Sequence, residues 1–552
     1  MLSTILQKKI KKSFVLGLLW IFVFLWVLLL TQGLPIGDFD DWDHILVSQD
    51  ISWQPLLKNL AIPWSPSQMW HGQTERINEV TNRRIILTVV LKSIISIFGL
   101  HFFPLYIFSK AIFFSATVLG VFLLLGQITN LRWLQWVGMF FYLSVPAHYP
   151  HVLWITDPIT MVHAFLVFAL LAFIKLRQTW ITRGEFGNKD FKKYFFIFYA
   201  LGWLAMKTKE PAVTLPLAAV GVLILDFISY PECRKKIAFV FFACLHLIFL
   251  LVPITTLSWA NQESGFDFDF QNLLRMLLRN YGCGYEDEKS TAFFSWNYVW
   301  PVSIARTFGF PLLWLTFAAL IFVFFKNRPA LKGLLKNPLT FLCVFWISIE
   351  IFFMGVFQPD PRYFSGTFIP LTLLMMQLFN RVYTDKKSWS RLGKILFLAV
   401  LTVTIITHLR SIVWLRLQIG KRSHRFLYTA QSLYQDQYQK NPNKQDVAFF
   451  YTSMYFSKTP HPRIEDVVYY SNLGYERWNK VNIPDPDSYE KAAQKGAVFY
   501  VNDTPEYWFS HYPQIQLFKT LSGINSESFF ETVIYKIKNH PQKIFIYKWV
   551  QR

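Results

Sequence analysis

The chain is short of acid and shorter still of cysteine. Its 552 residues hold 34 Asp and Glu against 55 Lys and Arg, and charged residues of both signs make up only 16%. The four cysteines have neither the paired spacing of a zinc site nor that of a disulfide framework, so they do not report a redox compartment. Internal repeats and low-complexity tracts are absent, and no basic helix with an aromatic RNA-binding signature occurs, which argues against nucleic acid despite a net charge of +21. What the chain has instead is apolar: 53% hydrophobic residues, 18% of the total aromatic. A soluble protein of this length stays well under that level. The apolar residues cluster in runs of 16 to 24, the length that crosses roughly 30 Å of hydrocarbon.

The position of the charge gives the topology. Residues 415–552 carry 18 Lys and Arg and 12 Asp and Glu, so most of the net charge falls in short loops between apolar runs. Lys8, Lys9, Lys11 and Lys12 precede an apolar run from Ser13 to Leu30 that is too long for a signal peptide and has no small-residue cleavage site after it. It reads as a retained first helix with its N-terminus inside. Further spans are expected near 158–174, 194–210, 212–228, 237–257, 308–325, 339–356, 363–380 and 395–414. The loops this places inside hold 22 basic and 4 acidic residues; those placed outside hold 5 basic and 14 acidic. That is the positive-inside asymmetry. Three apolar runs, 85–100, 103–126 and 134–150, lie where an even number of crossings is needed, so one of them is broken, re-entrant or merged. The total comes to about 11 transmembrane helices.

After Trp414 the pattern turns soluble. Residues 423–439 have helical spacing, and short strand-like runs follow at 446–451, 467–470, 497–501 and 543–549, separated by Asn441-Pro442-Asn443 and Pro484-Asp485-Pro486-Asp487. The expected organisation is a transmembrane domain over 1–415, with outer loops 32–84 and 258–305, and a small extracytoplasmic α/β domain over 416–552.

Candidate chemistry gathers on the outer side. Asp38, Asp40, Asp41 and Asp43 crowd the exit of the first helix. Crowded carboxylates raise one another's pKa and can supply a general base or metal ligand; an acidic loop that helps to set topology is the plainer reading. Trp42, Trp53, Trp64 and Trp70 suit a loop lying in the membrane interface. Asp157, before Pro158, can join a site or simply cap the next helix. His148 and His151 lack the spacing of a metal-binding helix and read as interface histidines, His151 being close enough to Asp157 to support it. Lys207 and Lys209, followed by Glu210 and Pro211, break the positive-inside rule, which suggests an anionic partner such as a lipid phosphate, or a Lys–Glu surface pair. Arg362 and Tyr363 follow the outer turn Gln358–Pro361; the guanidinium suits a bidentate phosphate contact or a pair with Asp360. In loop 258–305, Arg275 and Arg279 stand at helical spacing between acidic residues, as in a surface-lying amphipathic segment.

Together these residues resemble the GT-C superfamily of integral-membrane glycosyltransferases, which includes protein O-mannosyltransferases and aminoarabinose transferases. Asp40-Asp41 stands where the family carries an acidic pair after the first helix, and Asp157 where many members have a second acid. Lys209-Glu210-Pro211 followed by Leu215-Pro216 looks like the turn of mannosyltransferase-like members, and Arg362-Tyr363 resembles their late Arg-Tyr. The likeness covers roughly residues 10–415. It departs in having Asp-Asp for the usual acid-Glu pair and Thr81-Asn82-Arg83-Arg84 for a proline-rich turn. It implies a GT-C-like, polytopic α-helical membrane protein that transfers a sugar, with inversion, from a polyprenyl-phosphate donor to a glycan, lipid or protein acceptor. Asp40 would be the base, Asp41 its alternate or orienting partner, and Asp157 a further catalytic acid. Lys207, Lys209, Arg362 and Tyr363 would meet the lipid phosphate, with Asp38, Asp43, Glu210 and His151 in support. A divalent metal between carboxylate and phosphate fits this chemistry, although no ligand spacing calls for one. The family's breadth favours a bacterial plasma membrane. A membrane transporter or lipid-linked-glycan flippase, and an inactive scaffold of the same fold, are the competing readings; a transporter would bury ionisable residues at mid-membrane, as Lys92, Lys110 and Glu350 do in isolation.

Overall fold

The computed structural model describes residues 2–32, 45, 48, 51–61, 84–99, 103–153, 157–181, 188–250, 337–357, 365–384, 398–399, 401–413, 415–416 and seven C-terminal strands. The chain divides into two compact units. One comprises Met1–Leu28 with Val47–Leu415, the other Leu29–Leu46 with Arg416–Arg552.

The first unit is helical. In chain order its helices are α1 (Leu2–Thr31, whose last turn belongs to the other unit), α2 (Trp53–Ala61), α3 (Ile85–Phe98), α4 (Phe103–Ile128), α5 (Arg132–Ser144), α6 (Tyr149–Leu153) and α7 (Ile159–Ile181). There follow α8 (Asn188–Met206), α9 (Thr214–Ser229), α10 (Arg234–Phe249), α11 (Pro338–Phe357), α12 (Phe368–Thr384) and α13 (Leu401–Val413). Among the described residues, four stretches are long and apolar enough to cross a membrane: Phe14–Thr31, Leu105–Ile128, Ile159–Ile181 and Pro211–Ser229. Their surfaces fit a hydrocarbon solvent. Leu18, Ile21, Phe22 and Leu25 on α1, Ile224 and Ile228 on α9, and Phe239 and Phe242 on α10 are all exposed. In water such a surface would aggregate; in lipid it costs nothing, while the helix satisfies its own backbone. The protein is an integral membrane protein.

Side-chain contacts at the helix ends give the chain directions. At one end, Arg177 of α7 grips Asp226 of α9 with two bonds of 2.6 and 2.7 Å, and the Trp180 indole donates to the same carboxylate at 3.1 Å. Asn380, late in α12, bonds to Thr129 and to the Ile128 carbonyl at the end of α4. At the opposite end, Lys110 of α4 reaches the turn before α7, and the Ile86 amide of α3 meets the Lys207 carbonyl after α8. Helices α4, α7 and α9 therefore run away from the Asp157 end, and α5 and α8 run towards it.

These directions account for the surplus apolar run. Both α3 and α4 begin at the Asp157 end, and the 14 residues of α3 rise only about 21 Å, short of the roughly 30 Å core. The chain leaves α3 through Gly99 at φ 82°, a left-handed conformation that glycine adopts without strain. The 26 residues of α4 are long enough to span the core, and α5 runs back, its 13 residues continued by the turn Pro146–His148 and by α6. Close packing along these helices uses glycine: Gly138 sits against Leu125 and Met376, and Gly202 against Leu247.

In the second unit, strands β1 (Val447–Thr452), β2 (Ile464–Asp466), β5 (Ala497–Asn502), β6 (Ile515–Ser522) and β7 (Lys543–Trp549) make a sheet in the order β2-β1-β5-β7-β6. Only β1 and β5 pair in parallel. A separate hairpin joins β3 (Tyr469–Ser471) to β4 (Gly474–Glu476). Arg416 donates to the carbonyls of Leu30 and Gln32, satisfying acceptors at the end of α1 that have no helical partner. The expected helix at 423–439, the span at 308–325 and the outer loop 258–305 lie outside the described residues.

Candidate functional site

The Asp157 end gathers charge from four elements of the first unit. Asp157 stands one residue before Pro158, which opens α7 with φ already set for a helix. Its Oδ1 accepts from the Ile159 amide at 3.0 Å, and its Oδ2 meets His151 Nδ1 at 2.6 Å. Lys209 Nζ lies 3.8 Å from Oδ1. Lys110 comes from the side: fully buried in α4, it donates to the main-chain carbonyls of His151, at 3.2 Å, and of Asp157. The cap and the charged site, alternatives in sequence, are thus one and the same carboxylate.

The electrostatics follow from the burial. The side chains of His151 and Asp157 are 1% and 12% exposed. Burial alone would raise the Asp157 carboxyl. The charges of His151 and Lys209, the His151 hydrogen bond and the charge of Lys110 outweigh it, and hold the carboxyl well below the ordinary carboxylate range. Lys207, also buried, lies 5.8 Å from the Trp203 ring centroid, and burial pulls its ammonium below the usual lysine value. Lys110 and Lys209 both act on the Asp157 carboxylate, and Lys207 is buried two residues before Lys209.

Of the residues singled out in sequence, Asp157, His151 and Lys209 come together, with Lys207 two residues away. For two of them the structure gives a partner that the sequence did not name. His151 is a buried partner of Asp157, because the turn Pro146–His148 folds α6 back under the start of α7. Lys209 is a buried partner of Asp157, because α8 ends at the mouth and an extended residue carries the lysine inward. Glu210 opens the 3-10 turn Glu210–Val213, and its side chain lies outside the described set. Asp38, Asp40, Asp41, Asp43, Arg362 and Tyr363 lie outside the described residues. Sequence reading noted Lys110 but gave it no role; a lone lysine in the run from Phe103 to Ile128 was the available signal. Among the described residues, no group of three or more His, Cys, Asp or Glu is placed to hold a metal.

No protein-family model matches the chain, and no curated protein does. Among solved structures, 96% of the chain is similar to 97% of ArnT from Cupriavidus metallidurans bound to undecaprenyl phosphate, with 11% identity and a TM-score of 0.47. The apo state of the same ArnT is similar over 97% of this chain and 98% of its own, with 10% identity and a TM-score of 0.48.

Proposed function

We propose that this protein is a glycosyltransferase that moves a sugar, with inversion, from a polyprenyl-phosphate donor to an acceptor at the extracytoplasmic face of the membrane. The observation that carries this reading is the gathering of buried charge at the Asp157 mouth, where His151 and Lys209 meet one carboxylate and Lys110 and Lys207 are buried in the same part of the first unit. Lys207 and Lys209 are buried just beyond the last turn of α8, and buried lysines beside a membrane helix suit the binding of an anion. A lipid phosphate is the anion that a membrane supplies there. In transfer the leaving phosphate gains charge, and fixed cations in a dry site stabilise that charge as the bond breaks. Lys207 and Lys209 take this role, with Arg362 and Tyr363 assigned to it by sequence. The acceptor hydroxyl must lose its proton as it attacks, and Asp40 is the proposed base, with Asp41 as its alternate. Asp157 orients Lys209 and His151. The N-terminus is cytoplasmic, the C-terminal unit extracytoplasmic, and the sugar hexose-like.

A flippase or transporter is the second reading, favoured by Glu350, which is buried inside α11 with the Trp346 indole as partner. Mass spectrometry of lipid-linked and surface glycans in a deletion strain separates the two. The transferase reading expects one sugar to vanish from the glycan while its polyprenyl-phosphate form accumulates on the extracytoplasmic leaflet. Accumulation on the cytoplasmic leaflet alone favours the flippase, and unchanged glycans and donor pools sink both.

A further inference from the structure

Beside the charged mouth stands a second group of polar side chains that the proposed chemistry leaves unused. Tyr142, at the end of α5, stacks against His148, their ring centroids 4.3 Å apart. His148 lies 5.7 Å from the ring of Phe368, at the start of α12. The turn before α12 holds Ser365, Gly366 and Thr367, and the Glu350 carboxyl of α11 packs where a Cβ on Gly366 would stand. Glu350 is also within electrostatic reach of Tyr142. Three segments of the first unit therefore converge on one spot.

The polar atoms there are buried and unanswered. The Tyr142 hydroxyl, both ring nitrogens of His148, Ser365 Oγ and Thr367 Oγ1 have no hydrogen-bond partner, and none of the four residues is more than 2% exposed. Native interiors pair the great majority of such atoms. Unpaired atoms on two segments that meet here, His148 against Phe368 and Glu350 against Gly366, point to an occupant that brings donors and acceptors of its own. The chemistry of the group narrows that occupant. It has hydroxyls, an imidazole and a carboxyl, and among the described residues it has no lysine or arginine, so it is not built for phosphate. It suits a neutral group rich in hydroxyls.

Its place narrows the choice again. His148 lies 6.1 Å, ring to ring, from His163 of α7, and three residues before His151, which bonds to Asp157. This polar group and the charged mouth are neighbours at the same helix ends. We propose that Tyr142, His148, Ser365 and Thr367 form the subsite for the sugar of the lipid-linked donor, next to the cations that meet its phosphate. This rests on the transferase reading above, and it makes sugar recognition a property of residues that contact no charge on the carrier.

The test uses the full-length protein in nanodiscs and measures binding of bare polyprenyl phosphate and of its mannosyl, glucosyl and arabinosyl esters. Wild type is expected to bind at least one ester more tightly than the bare carrier. Tyr142→Phe and Thr367→Val should each cut that preference about three- to tenfold, the worth of one neutral hydrogen bond, and leave bare-carrier affinity within about twofold. Because neither hydroxyl has a partner in the unliganded protein, both variants should melt at or above the wild-type temperature. A melting temperature that falls while the preference survives overturns the subsite and makes these residues structural. A wild type that binds the bare carrier but prefers no ester also overturns it and leaves the transferase reading standing. Failure to bind the bare carrier removes that reading, and the subsite with it.

Discussion

Replacing Asp157 with asparagine isolates the charge from everything else that the residue does. Asparagine caps a helix about as well as aspartate, so the bond from the Ile159 amide to Oδ1 survives. What disappears is the negative charge facing Lys209 at 3.8 Å and His151 at 2.6 Å. At an effective dielectric of about 20, a unit pair at that lysine distance is worth about 4 kcal/mol before desolvation is counted. Removing one partner of a buried pair costs about 3–5 kcal/mol, because the other charge stays buried and unanswered. At the usual unfolding entropy per residue, a loss of that size in a unit of roughly 400 residues lowers the melting temperature by about 3–6 °C. The assay is tryptophan-fluorescence melting in detergent or nanodiscs, run as a double-mutant cycle with Lys209→Met. The two changes should fall short of additivity by about 1–3 kcal/mol. The pH dependence has a definite sign. The folded carboxyl is held well below its ordinary value, so its contribution is complete above the unfolded pKa of about 3.9 and disappears only as pH falls through the lower folded value. The gap between wild type and Asp157→Asn should therefore stay constant from neutral pH to about pH 5 and narrow only below about pH 4. Additivity within about 0.5 kcal/mol, or a gap that closes near neutrality, refutes the buried-pair account.

At the other end of the helices, Asp226→Asn breaks the bidentate grip of Arg177 and should cost about 3–5 kcal/mol in melting experiments while leaving the affinity for polyprenyl phosphate unchanged. Gly120→Ala drives a methyl group into Val167 and should destabilise by about 1–3 kcal/mol, with Gly17→Ala, which has open space around it, as the neutral control. Asp40→Asn is expected to abolish sugar transfer in membrane vesicles while expression and insertion persist, and full activity would remove Asp40 as the base. Trp26→Phe deletes the 2.9 Å bond to the Tyr149 hydroxyl and should cost about 1 kcal/mol, read as a small melting shift.

The periodicity and charge of the sequence made the helices legible, because in lipid a backbone must satisfy itself and a run of apolar residues has few alternatives. The strands at 447–452, 497–502 and 543–549 were visible as short β-branched and aromatic runs. Strand β6 was not: Ile515–Ser522 mixes lysine, glutamine and serine into its alternation, and its pairing with β7 slips between Leu517 and Lys519, which breaks the period that sequence reading relies on. The site was partly legible. Asp157 and Lys209 announced themselves as charges out of place, but their meeting did not, since 52 residues and two helices separate them. Lys110 and Glu350 showed as isolated charges in apolar runs, yet Lys110 meets main-chain carbonyls and Glu350 an indole, which carry no sequence signature. Tyr142, Ser365 and Thr367 gave no signal, because a hydroxyl within or beside an apolar run looks the same whether or not it has a partner.

The Asp157 carboxylate divides its two oxygens between the backbone and an imidazole. One holds the first turn of α7 and the other holds His151. A ligand that draws Lys209 or His151 away cannot do so without shifting the oxygen that pins the helix. Occupancy of the mouth is thereby written into the opening turn of a 23-residue helix, and the exchange rates of the Ile159 and Met161 amides become a gauge of what is bound there.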